Sequence, residues 1–183
     1  MARIGLIGAG TIGTEAYKRA QENGHKVTFV STASGVYLPA GAAYASNGSL
    51  SSYVKNVWKP EAENKDVASV ARESKTDVVF IAIPTKSDER GEVAYQYISS
   101  LLKEGIRAIP AEKGALSLHF SELVEHIERG DLGYLATVGG GTQLLDEIAR
   151  RAKSGKVAAI HGVFNATLNY IFDGLSHGRN LDE

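Results

Sequence analysis

Cysteine is missing from all 183 residues. Its absence excludes disulfides, thiolate catalysis and the zinc or iron–sulfur centres that rely on cysteine ligands. Charge of one sign is missing too: Lys+Arg 20 stands against Asp+Glu 21, a formal net charge of −1. So balanced a chain presents no overall field to nucleic acid or to an anionic membrane. Long apolar runs are lacking, the longest β-branched one (residues 78–83) being far short of a bilayer span. Met1-Ala2-Arg3 leads directly into Ile4-Gly5-Leu6-Ile7, a run too short for a signal-peptide core. The cytoplasm is therefore the expected compartment, and the glycosylation patterns at Asn47 and Asn165 are read as chance. No GxSxG, HExxH, GxxxxGK[ST] or EF-hand loop occurs, so hydrolytic, zinc-protease, P-loop and calcium chemistry lack sequence support.

What is present is an ordinary globular composition, with 43% hydrophobic and 22% charged residues. The length corresponds to about 1.2 typical domains. Short apolar segments alternate with amphipathic ones. Strands are expected at Arg3–Ile7 and at residues 26–30, 77–83, 106–110, 134–138 and 157–164. Helices are expected at residues 14–23, after an Asp66 cap, at 91–104, from Phe120 to a Gly130 stop, around Leu144 to Ala152, and at 167–175. Residues 31–65, rich in Gly, Ser, Ala and Asn, read as a long loop with at most a short helix or strand. Regular alternation of strand and helix implies parallel βαβ units, hence an α/β fold with a doubly wound sheet.

The first turn carries the chemistry. Gly8-Ala9-Gly10-Thr11-Ile12-Gly13 follows a strand and opens a helix, the context that a dinucleotide fingerprint requires. Gly8 suits the tight turn, Gly10 lets a diphosphate approach bare backbone, and Gly13 permits close helix–strand packing. The Thr11 and Ile12 amides then face the phosphates at a helix start. This is a Rossmann-type beginning, and NADP or NAD is the implied cofactor. The end of the second strand, Phe29-Val30-Ser31-Thr32-Ala33-Ser34, has no carboxylate to bind a ribose 2′-hydroxyl. Thr32 and its neighbours leave room for a 2′-phosphate, which tilts the expectation toward NADP, with Lys55 and Lys59 near enough in sequence to approach it. Pro84 and Thr85 follow the central strand and are placed on the ribose–nicotinamide side. Lys113, just after the next strand, would lie beside the nicotinamide edge, where an amine holds a substrate oxygen or exchanges a proton. The plain alternative for such a loop lysine is a solvated side chain.

Taken in order, the glycine fingerprint, IAIPT (residues 81–85), AEKGALS (111–117), ATVGGGTQLL (136–145) and GVFNATLNYIF (162–172) resemble homoserine dehydrogenase. The resemblance covers nearly the whole chain. It implies NAD(P)-dependent interconversion of aspartate semialdehyde and homoserine in amino-acid biosynthesis. It also implies Lys113 as the active-site lysine, and a turn at Thr137, Gly139 and Gly140 near nicotinamide and substrate. Residues 1–133 would form the dinucleotide-binding domain and residues 134–183 part of an α/β substrate-binding and dimerisation domain. The chain departs from the family at Glu112 (usually Asn), Leu135 (usually Glu), Gln143 (usually Pro) and Ala166 (usually Gly). It ends before the family's acidic stretch with a catalytic Asp and a second Lys, so a short, divergent member is expected.

Two alternatives stay open: a dinucleotide-binding module without catalysis, and a related oxidoreductase acting on another small carbonyl compound. A homo-oligomer is expected, because the last strand–helix pair is too small to bury its own core. His119, Glu122 and His126 share one helix flank and are read as a solvated face, with no metal expected. His161 is read as a buried, hydrogen-bonded histidine. Val93, Tyr97, Leu101 and Leu102 are read as core.

Overall fold

The computed structural model describes residues 1–40, 44, 48–61, 66–85, 91–155 and 157–180. Its first elements are β1 (Arg3–Ile7), α1 (Thr11–Glu22), β2 (Lys26–Thr32), β3 (Gly35–Leu38), α2 (Leu50–Val57), β4 (Lys59–Pro60) and α3 (Val67–Glu73). There follow β5 (Val78–Ile81), α4 (Glu92–Lys103), β6 (Arg107–Pro110), α5 (Gly114–Leu118), α6 (Phe120–Arg129), α7 (Leu144–Lys153) and α8 (Ala166–Ser176). The chain divides into two units, Met1–Thr137 and Val138–Glu183.

In the first unit one sheet has the order β4-β3-β2-β1-β5-β6. Strands β2, β1, β5 and β6 are parallel, while β3 and β4 add antiparallel edges. Side-chain alternation along the strands sorts two cores. Leu6 and Val30 join Tyr17 and Ala20 of α1, Leu50 and Val54 of α2, and Trp58. Ile7, Phe29, Val79 and Ile81 join Val67 and Val70 of α3, Ile98 and Leu101 of α4, and Leu123 of α6. The sheet is thus covered on both faces, as the strand–helix alternation predicts. A methyl group at Gly5 would stand 2.3 Å from the ring of Phe29, so a bare backbone there lets the fully buried ring lie against β1. Where β1 and β2 lose register, between Ile4 and Gly5, the Thr28 hydroxyl meets that of Thr76 at 2.7 Å and donates to the Ile4 carbonyl.

The described residues between 31 and 61 differ from the sequence reading. Strand β2 runs through Thr32, whose hydroxyl accepts the Ser34 N–H. Gly35, at φ +135°, turns the chain back so that Thr32 pairs with Gly35 in β3. Helix α2 follows, its start capped by the Ser49 hydroxyl accepting the Ser52 N–H. A hairpin, a helix and a further short strand therefore occupy the expected loop. Its aromatic residues close a core: Tyr44 and Tyr53 make edge contacts, as do Tyr53 and Trp58.

The expected strand at residues 134–138 does not form. The sheet's extension stops at a single parallel bridge between Leu132 and Ala108, and Thr137 then turns back to give both its N–H and its hydroxyl to the Tyr134 carbonyl. In the second unit the described residues form α7 and α8 and no strand. Residues 157–164 have no ladder partner there, so the expected strand is absent as well. His161, exposed in that segment, is not the buried histidine expected. Helix α8 starts at Asn165, whose side chain accepts the Leu168 N–H. Among the described residues no helix is long and apolar enough to cross a membrane.

Candidate functional site

Because β2, β1, β5 and β6 are parallel, their carboxyl ends lie along one edge, and the loops that leave them meet there. The β1 loop is the tightest. Gly8 has φ +100°, and a methyl group on it would come within 2.2 Å of the Ala82 carbonyl oxygen. A methyl group on Gly13 would reach within 2.0 Å of the Gly8 oxygen. Both glycines are required by packing against protein. Gly10 is different: nothing lies within 4 Å of where its Cβ would be. It caps α1 without a side-chain hydrogen bond, and the first-turn amides of Thr11, Ile12 and Gly13 have no intrahelical acceptor. Free N–H groups and the positive end of the helix dipole thus face open space.

That space is a cavity of about 780 Å³. It is lined by Gly8 to Ile12 at the β1 end, by Ser31, Thr32 and Ala33 at the β2 end with Ser51 of α2, and by Ala82 to Pro84 at the β5 end. Its far wall is made by Gly91, Val93, Ala94 and Tyr97 at α4 and by Glu112 after β6. Three strand spacings of about 4.8 Å separate β2 from β6, roughly 14 Å of cleft with the glycine loop inside it. Small hydroxyl side chains furnish one end. Glu112 is the one formal charge among the described lining residues.

Of the sequence-predicted binding residues, the structure gathers Gly8, Gly10, Thr11, Ile12, Thr32 and Pro84 on the cavity, with Gly13 beneath the loop. The Thr32 hydroxyl is already engaged with Ser34. Thr85 and Lys113 are exposed and stand outside the described lining. They are joined to each other, the Lys113 N–H donating to the Thr85 hydroxyl at 3.2 Å. Lys55 and Lys59 are exposed and do not line the cavity. Thr137 is buried at the end of the first unit, while Gly139 (φ +83°) and Gly140 (φ +56°) belong to the second.

Two readings from periodicity need correction. Val93, 39% exposed, faces the cavity rather than the core, and Tyr97 lines the cavity while also packing against the core, whereas Leu101 is buried and Leu102 packs against the same core, as expected. A helix that roofs a cleft shows the same apolar spacing as one that seals a core, so period alone does not separate them. His119 is not simply solvated: its ring stacks on Tyr95 with centroids 3.9 Å apart, and its Nε2 lies 3.6 Å from a Glu92 carboxylate oxygen. The sequence reading also passed over Ser51 and Glu112. Ser51 sits in the segment read as loop, and Glu112 was noted only as a departure.

No protein-family model matches the chain. The homoserine dehydrogenase of Corynebacterium glutamicum is 24% identical over 176 residues, 94% of this chain and 37% of that protein. The chain therefore spans little more than a third of that relative's length. Its fold resembles that of the homoserine dehydrogenase of Thermoplasma acidophilum, with a TM-score of 0.62 and 18% identity over 84% of this chain and 49% of the other. A hyperthermophilic archaeal homoserine dehydrogenase in complex with NADPH gives a TM-score of 0.55 with 16% identity, over 75% of this chain and 44% of the other. By sequence and by fold, the chain is similar at low identity to part of the homoserine dehydrogenases.

Proposed function

We propose that the cleft binds NAD(P) and serves an NAD(P)-dependent oxidoreductase of the homoserine dehydrogenase type, interconverting aspartate semialdehyde and homoserine. The observation that carries this reading is the open approach over Gly10 to unpaired helix-start amides at the lip of a 780 Å³ cavity. A diphosphate fits those amides by charge and by hydrogen bonding. Its two nucleosides would then extend toward β2 on one side and toward β5 and β6 on the other. NADPH in one structural relative supports the same coenzyme class.

At the β2 end, Ser31, Thr32, Ala33 and Ser51 offer hydroxyls and no carboxylate, which favours a ribose 2′-phosphate over a bare 2′-hydroxyl. We therefore assign NADP ahead of NAD. The bound coenzyme supplies or accepts the hydride. The chain's own residues hold the diphosphate, position the ring beside Pro84, and bring Lys113 to a substrate oxygen, with Thr137, Gly139 and Gly140 assigned to substrate. A second reading, a coenzyme-binding module without turnover, is favoured by Leu135: it is 50% exposed and apolar where the resemblance implies a carboxylate.

Titration with NADPH and NADH, followed by coenzyme fluorescence, tests the reading. NADPH binding tighter than NADH is expected, with NADP-dependent oxidation of homoserine. Binding without turnover selects the module, and no binding of either coenzyme overturns both readings.

A further inference from the structure

Glu112 is 2% exposed, yet it forms part of the cavity wall. Its carboxylate folds back over the start of α5, one oxygen accepting the Gly114 N–H at 2.5 Å and the other the Ala115 N–H at 2.9 Å. Both oxygens therefore accept from backbone, and neither donates to a described protein group. The group is also locked in place. A methyl group on Gly114 would come within 2.9 Å of the carboxylate and 2.8 Å of the Gly91 Cα, so the glycine pair closes the space behind it. Among the described residues no cation makes an ion pair with Glu112. Its sequence neighbour Lys113 is exposed instead. Two backbone amides offset part of a negative charge, but they do not cancel it.

The position of this charge gives it a consequence. Glu112 leaves the end of β6, the parallel strand farthest from the hydroxyl-lined β2 end, with the diphosphate loop of β1 between them. On the coenzyme reading above, on which this inference rests, that is the nicotinamide end. We propose that Glu112 is a specificity-determining residue there, its fixed carboxylate favouring the cationic, oxidised ring over the neutral, reduced one. The two coenzyme forms differ by one hydride and by one positive charge on that ring. Their phosphates and adenosines are identical, so the ratio of their affinities isolates the local field. In a cleft partly shielded from water, one charge acting across several ångströms is enough to move that ratio appreciably.

The test compares dissociation constants for NADP+ and NADPH in the whole chain, with thermal melts to confirm folding. Glu112→Gln keeps the shape and removes the charge. It is expected to weaken NADP+ binding about tenfold and to leave NADPH binding nearly unchanged. Glu112→Asp keeps the charge and should retain most of the wild-type ratio. Equal losses for both coenzymes in Glu112→Gln would show a purely structural cap and overturn the proposal, as would an unchanged ratio. Should the Gln variant fail to fold, Glu112→Asp and Glu112→Asn make the same charged and uncharged comparison at equal length. Failure of the wild-type chain to bind either coenzyme overturns the coenzyme reading itself. A lost ratio effect with binding retained overturns this inference alone.

Discussion

The backbone N–H of Lys113 donates to the hydroxyl of Thr85 across 3.2 Å, joining the loop after β6 to the loop after β5. The bond is made by the backbone, so it survives any change of the lysine side chain. Lys113→Ala therefore removes the amine while leaving the loop tethered. In a homoserine assay the variant is expected to lose turnover by about 100-fold or more, as general acid–base and charge-stabilising groups commonly do. Coenzyme affinity, read by fluorescence, should be unchanged. Retained turnover would remove the lysine from the chemistry.

Thr85→Val tests the other partner. It keeps the shape and deletes the acceptor, so the Lys113 amide loses its tether. Because the bond is exposed, its loss should cost less than about 1 kcal/mol in a denaturant melt. Turnover should fall more than coenzyme affinity does, since the lysine rather than the cleft is set adrift. Equal effects on both would mean that the tether shapes the cleft itself.

Gly10 and Gly13 separate ligand from fold. A methyl group on Gly13 would press within 2.0 Å of the Gly8 oxygen, while one on Gly10 would meet no protein atom within 4 Å. Gly13→Ala is expected to destabilise the chain by about 2–3 kcal/mol through overpacking against backbone. Gly10→Ala should melt within about 0.5 kcal/mol of the wild type, as substitutions into open space do. Its coenzyme affinity should nevertheless fall about tenfold or more, because the methyl occupies the diphosphate's approach. Thermal melts beside NADPH titrations read both effects. A Gly10→Ala variant that binds normally would deny the glycine loop its assigned role.

Much of this was legible from residues. The β-branched run at β5 and the apolar helix faces fixed the parallel sheet, because each depends on burial patterns local to one segment. Gly8, Gly10 and Gly13 were legible because turn, approach and packing each demand glycine at a set spacing. Gly35 and the β3 hairpin were not, since a strand of four residues gains its pairing from β2 and carries little signal of its own. Glu112 was missed for a related reason. Its role depends on the amides of Gly114 and Ala115 folding back to meet it and on a cavity assembled from four strand ends, none of which is local in sequence.

Helix α8 presents Leu168, Phe172 and Leu175 at spacings of four and three residues, all exposed, with Phe172 at 56%. Phe164, just before the Asn165 cap, is exposed as well. Apolar residues at that spacing form one stripe along a helix. We therefore expect self-association, with residues 157–172 at or near the interface. Sedimentation at micromolar concentration should report a dimer or larger species, and Phe172→Glu should shift it toward monomer. A wild-type monomer would remove the expectation.

Tyr17 supplies a pH test of the core beneath α1. Its ring is 3% exposed and meets the Tyr44 ring edge-on, with centroids 5.6 Å apart. Burial pushes its phenol above the ordinary 10.0, the nearby Tyr53 adds to the shift, and a hydrogen bond to the Tyr44 backbone opposes it. The folded state therefore prefers the neutral phenol. The resulting stabilisation is fully present below pH 10.0 and is lost as pH rises through the higher folded value. Tyr17 should ionise late in an absorbance titration of the native chain, and Tyr17→Phe should abolish that late step. The stability difference between wild type and Tyr17→Phe should stay constant up to about pH 10 and then move against the wild type, whose phenol must ionise within an apolar core. A difference that stays flat through the alkaline range would mean that the phenol reaches solvent without unfolding, in conflict with its packing against Tyr44 and Trp58.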